Sequence, residues 1–125
     1  MKKTVEMTTE ELLQAIKDVL RTKKTCDAVA VRVDHLTVVA DYFVICSVSS
    51  TTGVRALAET LDEKLSEQGV EPLRMEGLRE GRWAAIDFGS IIVHVFHEET
   101  RQIYQLEKLW SDGTNVVALD QSEEV

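Results

Sequence analysis

The sequence predicts a mixed α/β domain, with about five strands in one mixed sheet and helices packed on it. Three observations carry that reading. Apolar residues recur at helical spacing in some segments and alternate at strand spacing in others. A long helical stripe stands between strand-like runs, which is how a crossover to a parallel strand reads. Two apolar runs, residues 82–88 and 91–96, flank a Gly-Ser pair, which makes a hairpin.

The first element is a helix. Thr8 with Glu11 forms a capping box, and Leu12, Leu13, Ile16, Val19 and Leu20 then recur at helical spacing. DAVAVRVD alternates and reads as a strand. After a turn around Asp34 and His35, the run VVADYFVICSV reads as a central strand buried on both faces. Ser49, Ser50 or Thr51 can cap the next helix, whose stripe is Val54, Leu57, Ala58, Leu61 and Leu65 and whose stop is Gly69. Pro72 opens a short strand, PLRME, and the loop GLREG leads into the hairpin. EETRQIYQLEKLW is the last helix, with Ile103, Leu106 and Trp110 on its inward stripe and Arg101, Tyr104 and Glu107 or Lys108 beside it, partly exposed. The order is α-β-β-α-β-β-β-α. Residues 114–125 carry no period and end acidic, so a mobile tail is expected after a single domain spanning 1–113.

Composition narrows the function. The 125 residues suit one domain with a real core. A net charge of −8 and a pI of about 4.8 disfavour direct binding to DNA or RNA and favour a basic partner. Cys26 and Cys46 match no metal-ligand spacing. No apolar run is long enough for a membrane span, and no signal peptide follows the N-terminal lysines, so a reducing cytoplasm is expected.

The hairpin holds the candidate site. Gly89 at the first central position suits a type II′ turn, which pairs Asp87 with Ile92, Ala85 with His94 and Trp83 with Phe96. One face is then Ala84, Ile86, Phe88, Ile91, Val93 and Val95, with no polar atom: core. The other carries Trp83, Ala85, Asp87, Ile92, His94 and Phe96. Such a mixed face is either covered by a helix that satisfies its polar groups or offered to a partner. The pattern itself leaves both open. Catalytic readings fare worse. The triplet DFG lacks the companion motifs of a kinase. His94 and His97 point to opposite faces of a strand, a poor start for a metal site. The hydroxyl-rich loop CSVSSTTGV could cradle phosphate, but no strand offers the paired carboxylates that a nucleotidyl-transferring site needs for magnesium. No cofactor, metal or catalytic residue is therefore expected.

Five segments together carry a resemblance: DYFVI (41–45), EG (76–77), W-x-x-I-D-F-G (83–89), IVHVF (92–96) and R-x-x-Y-x-L-E-K-L-W (101–110). In these the chain resembles the Iojap family, the ribosomal silencing factors, from about Thr8 to Trp110. The resemblance implies a fold shaped like nucleotidyltransferases without their catalytic carboxylates. It also implies a non-enzymatic factor that binds ribosomal protein number fourteen of the large subunit. Docked there, it would block small-subunit joining and repress translation when nutrients are short. Homodimers are implied too. Trp83, Asp87 and His94 coincide with family motif positions, which tips the mixed face toward docking, with Glu76, Arg101, Tyr104 and Glu107 as further partner-binding candidates. One departure stands out: where the family reads Gly-Thr-Ser-Ser-Arg, this chain has Val48, Ser49, Ser50, Thr51 and Thr52. The alternative from another class is a nucleotide-binding transferase of the nucleotidyltransferase type.

Overall fold

A computed structural model describes residues 7–23 and 25–119. Helix α1 (Thr9–Arg21) is followed by strands β1 (Cys26–Arg32) and β2 (Tyr42–Val48), then helix α2 (Thr51–Glu67). Strands β3 (Arg74–Glu76), β4 (Trp83–Asp87) and β5 (Ile91–His97) come next, then two short helices, α3 (Glu98–Tyr104) and α4 (Leu106–Leu109), and strand β6 (Val116–Ala118).

The helix ends are set by local chemistry. Thr8 and Glu11 close the capping box on α1, each side chain taking the other's backbone N–H at 3.1 Å. Ser50, of the three candidate hydroxyls, caps α2 by accepting from Gly53 N at 2.9 Å. Gly69, at φ +88°, ends α2 in a Schellman motif: Val70 N donates to Leu65 O and Gly69 N to Ser66 O.

The strands form one six-stranded mixed sheet in the order β3-β4-β5-β2-β1-β6. All neighbours are antiparallel except β2 and β5, which run parallel with Tyr42 opposite Ile91 and Val48 opposite His97. The crossover expected from sequence is β2-α2-β3. It leaves room for β4 and β5 to fold back by hairpins into the gap. The predicted fold class therefore holds, with one strand more than expected. That strand corrects the reading of residues 114–125 as a mobile tail. Val116–Ala118 pairs with Val29–Val31, and Asn115 anchors it, donating from Nδ2 to Arg32 O and Trp110 O at 2.7 and 3.0 Å. The rest of that segment, from residue 120 on, lies outside the described residues.

The sheet separates two cores. On one face α1 contributes Leu12, Ala15, Ile16, Val19 and Leu20, and α2 its whole predicted stripe, against Val44, Cys46, Ala84, Ile86, Val93 and Val95. Each large side chain buried here stabilises the fold by roughly 1.5–3 kcal/mol. The other face holds a smaller core, including Val31, Val33, Phe43, Ile45, Phe96 and Leu106, with Trp83 and Trp110 packed against it. Among the described residues, helices α3 and α4 lie over this second face, and the candidate site residues gather there.

Candidate functional site: an aromatic docking face

The hairpin forms in the predicted register, from Asp87 opposite Ile92 to Trp83 opposite Phe96. Gly89 takes φ +97° at the turn. Ala84, Ile86, Phe88, Ile91, Val93 and Val95 are all buried, as core residues should be. The mixed face divides. Phe96 is wholly buried beneath the short helices, whereas Trp83, Ala85, Asp87, Ile92 and His94 are half-buried. The short helices thus cover one part of the face and leave another part open.

Trp83 sits at the junction. Its ring lies 4.7 Å from Phe96, centroid to centroid, and 5.0 Å from Tyr104 of α3. Its Nε1 donates to His94 Nδ1 at 3.0 Å. An indole N–H can only donate, so His94 Nδ1 must accept and the imidazole is neutral with its proton on Nε2. Burial favours the same state and lowers the His94 pKa from its ordinary value of 6.5 to about 4. Below pH 6.5 the unfolded chain therefore takes up a proton that the folded chain refuses. Stability should fall as pH drops from 6.5 toward 4, by on the order of 3 kcal/mol across the window. Urea melts at stepped pH check this. His94→Gln keeps an acceptor for the indole and should flatten the slope; an unchanged slope in that variant would assign the acid sensitivity elsewhere.

Asp87 has a structural task as well as a surface position. Its Oδ1 accepts from Gly89 N at 2.8 Å, which closes the hairpin turn, while Oδ2 lies 4.0 Å from Arg74 Nε. Arg74 also reaches Glu76, with Nη1 3.9 Å from Oε2. Glu76, Arg74 and Asp87 form a charged rim along the β3 side of the face, and Glu76 is well exposed there. Behind it, Gly77 takes φ +84°, and an added Cβ would strike the Trp83 carbonyl oxygen. The Glu-Gly pair therefore joins the rim to the position of Trp83.

The last helical segment differs most from expectation. It breaks at Gln105, which adopts the left-handed conformation (φ 48°, ψ 51°) and separates α3 from α4. The predicted inward stripe is accordingly split. Leu106 is buried and Trp110 packs edge-on against Phe43 at 5.3 Å, but Ile103 turns outward and is 75% exposed. Tyr104 is 56% exposed, and Leu109 points out as well. Arg101, expected to be partly exposed, is buried. Its Nε donates to Glu107 Oε2 at 3.2 Å and its Nη1 to Ser47 Oγ at 3.3 Å. Buried and so engaged, its guanidinium is turned inward rather than offered at the surface. Glu107 is half-buried, and its Oε1 is buried without a hydrogen bond.

Trp83, His94 and Tyr104 are therefore brought together; Asp87 and Glu76 stand at the rim; Arg101 and Glu107 lie beneath. Sequence reasoning missed Leu109 as a surface residue, and no signal marks the turn that exposes it. Among the described residues no three His, Cys, Asp or Glu side chains are grouped to hold a metal ion. No helix among them is long and apolar enough to cross a membrane.

An aromatic centre with a charged rim stands on the mixed sheet of an α/β domain, a composition found at docking surfaces. The family follows from comparison. The sequence model of "Ribosomal silencing factor during starvation" matches residues 6–125, and the chain belongs to that family. Its members are regulators rather than enzymes. A ribosomal silencing factor of Halalkalibacterium halodurans is 41% identical over 110 residues, covering 88% of this chain and 94% of that one. The crystal structure of a Chromobacterium violaceum protein superposes with a TM-score of 0.80 at 30% identity, over 83% of this chain and 87% of its own. A mouse protein named for mitochondrial assembly of the ribosomal large subunit is 31% identical over 102 residues, 79% of this chain and 45% of that protein.

Proposed function

We propose that this protein binds the large ribosomal subunit through ribosomal protein number fourteen and sterically blocks the small subunit from joining, so that translation is repressed in the cytoplasm when nutrients are limiting. The observation that carries the reading is the pairing of half-buried Trp83 with exposed Tyr104, on a face where Ile103 and Leu109 are also left in water. Isolated exposed apolar residues mean little, but an aromatic pair flanked by aliphatic side chains and a charged rim is the composition of a docking hot spot. The net charge of −8 suits a basic ribosomal protein. A mouse relative named for large-subunit assembly supports the choice of subunit.

Sucrose-gradient sedimentation of lysate containing the tagged protein tests the proposal. The protein should travel with free large subunits, and adding it to purified subunits should reduce joining. Staying at the top of the gradient at low salt, or travelling with small subunits, would overturn it. The family resemblance adds a homodimer to the proposal. Leu36, Val38, Val39, Val116 and Val117 are further exposed apolar residues, away from α3 and α4 in the chain. Light scattering of the unbound protein should then give about twice the 14.1 kDa chain mass, and a monomer at all concentrations would remove that part.

A further inference from the structure

The break at Gln105 has no local cause. The segment QIYQLEKL contains no glycine or proline, and a left-handed non-glycine residue persists only where its surroundings hold it. Arg101 supplies that hold from three directions. Its carbonyl accepts from Gln105 N at 2.8 Å and ends α3. Its Nε reaches across the break to Glu107, which belongs to α4. Its Nη1 donates to Ser47 Oγ near the end of β2. One buried side chain thus ties α3, α4 and the sheet together.

The two arms it joins carry the aromatic groups of the docking face. Tyr104 ends α3 and rests on Trp83 of β4. Trp110 follows α4 and rests on Phe43 of β2. We propose that Arg101 is a positioning residue for docking: with Glu107 and Ser47 it fixes the angle between α3 and α4, and so the spacing of Tyr104, Leu109 and Trp110 that a partner meets. The inference rests on the docking reading above.

A buried ion pair is a poor way to gain stability, because apolar residues of similar size often do as well or better. Such pairs are best understood where they select one geometry over others. The wholly buried Glu107 Oε1, which makes no hydrogen bond, fits that view. A site optimised only for stability would not retain a half-satisfied carboxylate.

Geometry and stability can be separated with three variants: Arg101→Met, the double variant Arg101→Met with Glu107→Leu, and Tyr104→Ala. Each is measured for its urea midpoint and its affinity for purified large subunits. Arg101→Met should lose stability, since Glu107 is left as an uncompensated charge, and should bind about tenfold or more weakly. The double variant removes that charge, so its midpoint should recover; if Arg101→Met fails to fold, this variant carries the test. Its affinity should stay low, because nothing restores the angle. Fluorescence from Trp83 and Trp110, the only two tryptophans, should report altered surroundings in the double variant. Recovery of full affinity together with stability would overturn the positioning role, provided Tyr104→Ala binds weakly. Full-strength binding by Tyr104→Ala would overturn the docking reading, and the positioning role with it.

Discussion

Trp83→Ala is expected to weaken binding to large subunits by about 2–4 kcal/mol, the range of an anchoring aromatic at an interface. It is also expected to destabilise the fold by about 3 kcal/mol, at the low end for a large aromatic because the side chain is only half-buried. From sequence alone the second effect is expected to be small, since the residue is read as a surface anchor. The structure adds a reason for a larger one: the ring packs on Phe96 and Tyr104, and its N–H donates to His94 Nδ1. Removing it opens a gap and leaves a half-buried imidazole without a donor. Tyr104→Ala separates the two effects, because Tyr104 is mostly in water and should cost affinity with little change in the urea midpoint. Ile86→Ala, on the opposite face, is the control for the core and should cost roughly 2–5 kcal/mol of stability with folded protein still binding. If Tyr104→Ala binds normally, the aromatic face is core covering and not a docking surface.

Gly77→Ala should have the largest effect of any single methyl group. At φ +84° a side chain costs on the order of 1–2 kcal/mol by itself. The added Cβ would also meet the Trp83 carbonyl carbon at 3.0 Å and Ala84 Cα at 3.2 Å, besides striking the Trp83 carbonyl oxygen. These are backbone atoms that cannot turn aside, so the link between β3 and β4 must shift. A total loss of about 4 kcal/mol or more is expected from urea melts. Gly113→Ala is the comparison: it has a similar φ of +96°, but nothing lies within 4 Å of the added atom. Its loss should stay near the conformational cost alone. Equal losses at the two positions would show that the crowding at Gly77 is relieved without strain.

What sequence could reveal followed the range of the forces involved. The capping box of α1, the Schellman end of α2 and the hairpin register are decided by residues within a few positions of one another, and all three were legible. Strand β6 was not, because its three residues have no period and are recruited by Asn115 to a strand more than eighty positions earlier. The same holds for the break at Gln105, which is imposed by Arg101 and Glu107 rather than by a residue with turn chemistry. The candidate site inherits that division. Trp83, Asp87 and His94 could be placed on one face from alternation alone. That Tyr104 would rest on Trp83, and that Arg101 would be buried, depended on contacts no local pattern encodes.

The parallel pairing of β2 with β5 has a consequence in time. Strands β3, β4 and β5 follow one another through short turns, and β1 and β2 are joined by a single loop, so each group can assemble from neighbours in the chain. Only the β2–β5 seam, with β6 joining later from the far end, brings distant parts together. Loop closure must be completed there before the two halves of the first core can share α2. During synthesis β2 emerges well before its partner and presents an apolar edge until β5 arrives. For a member of the ribosomal silencing family, the interval of greatest exposure to misassembly falls while the chain is still attached to a ribosome.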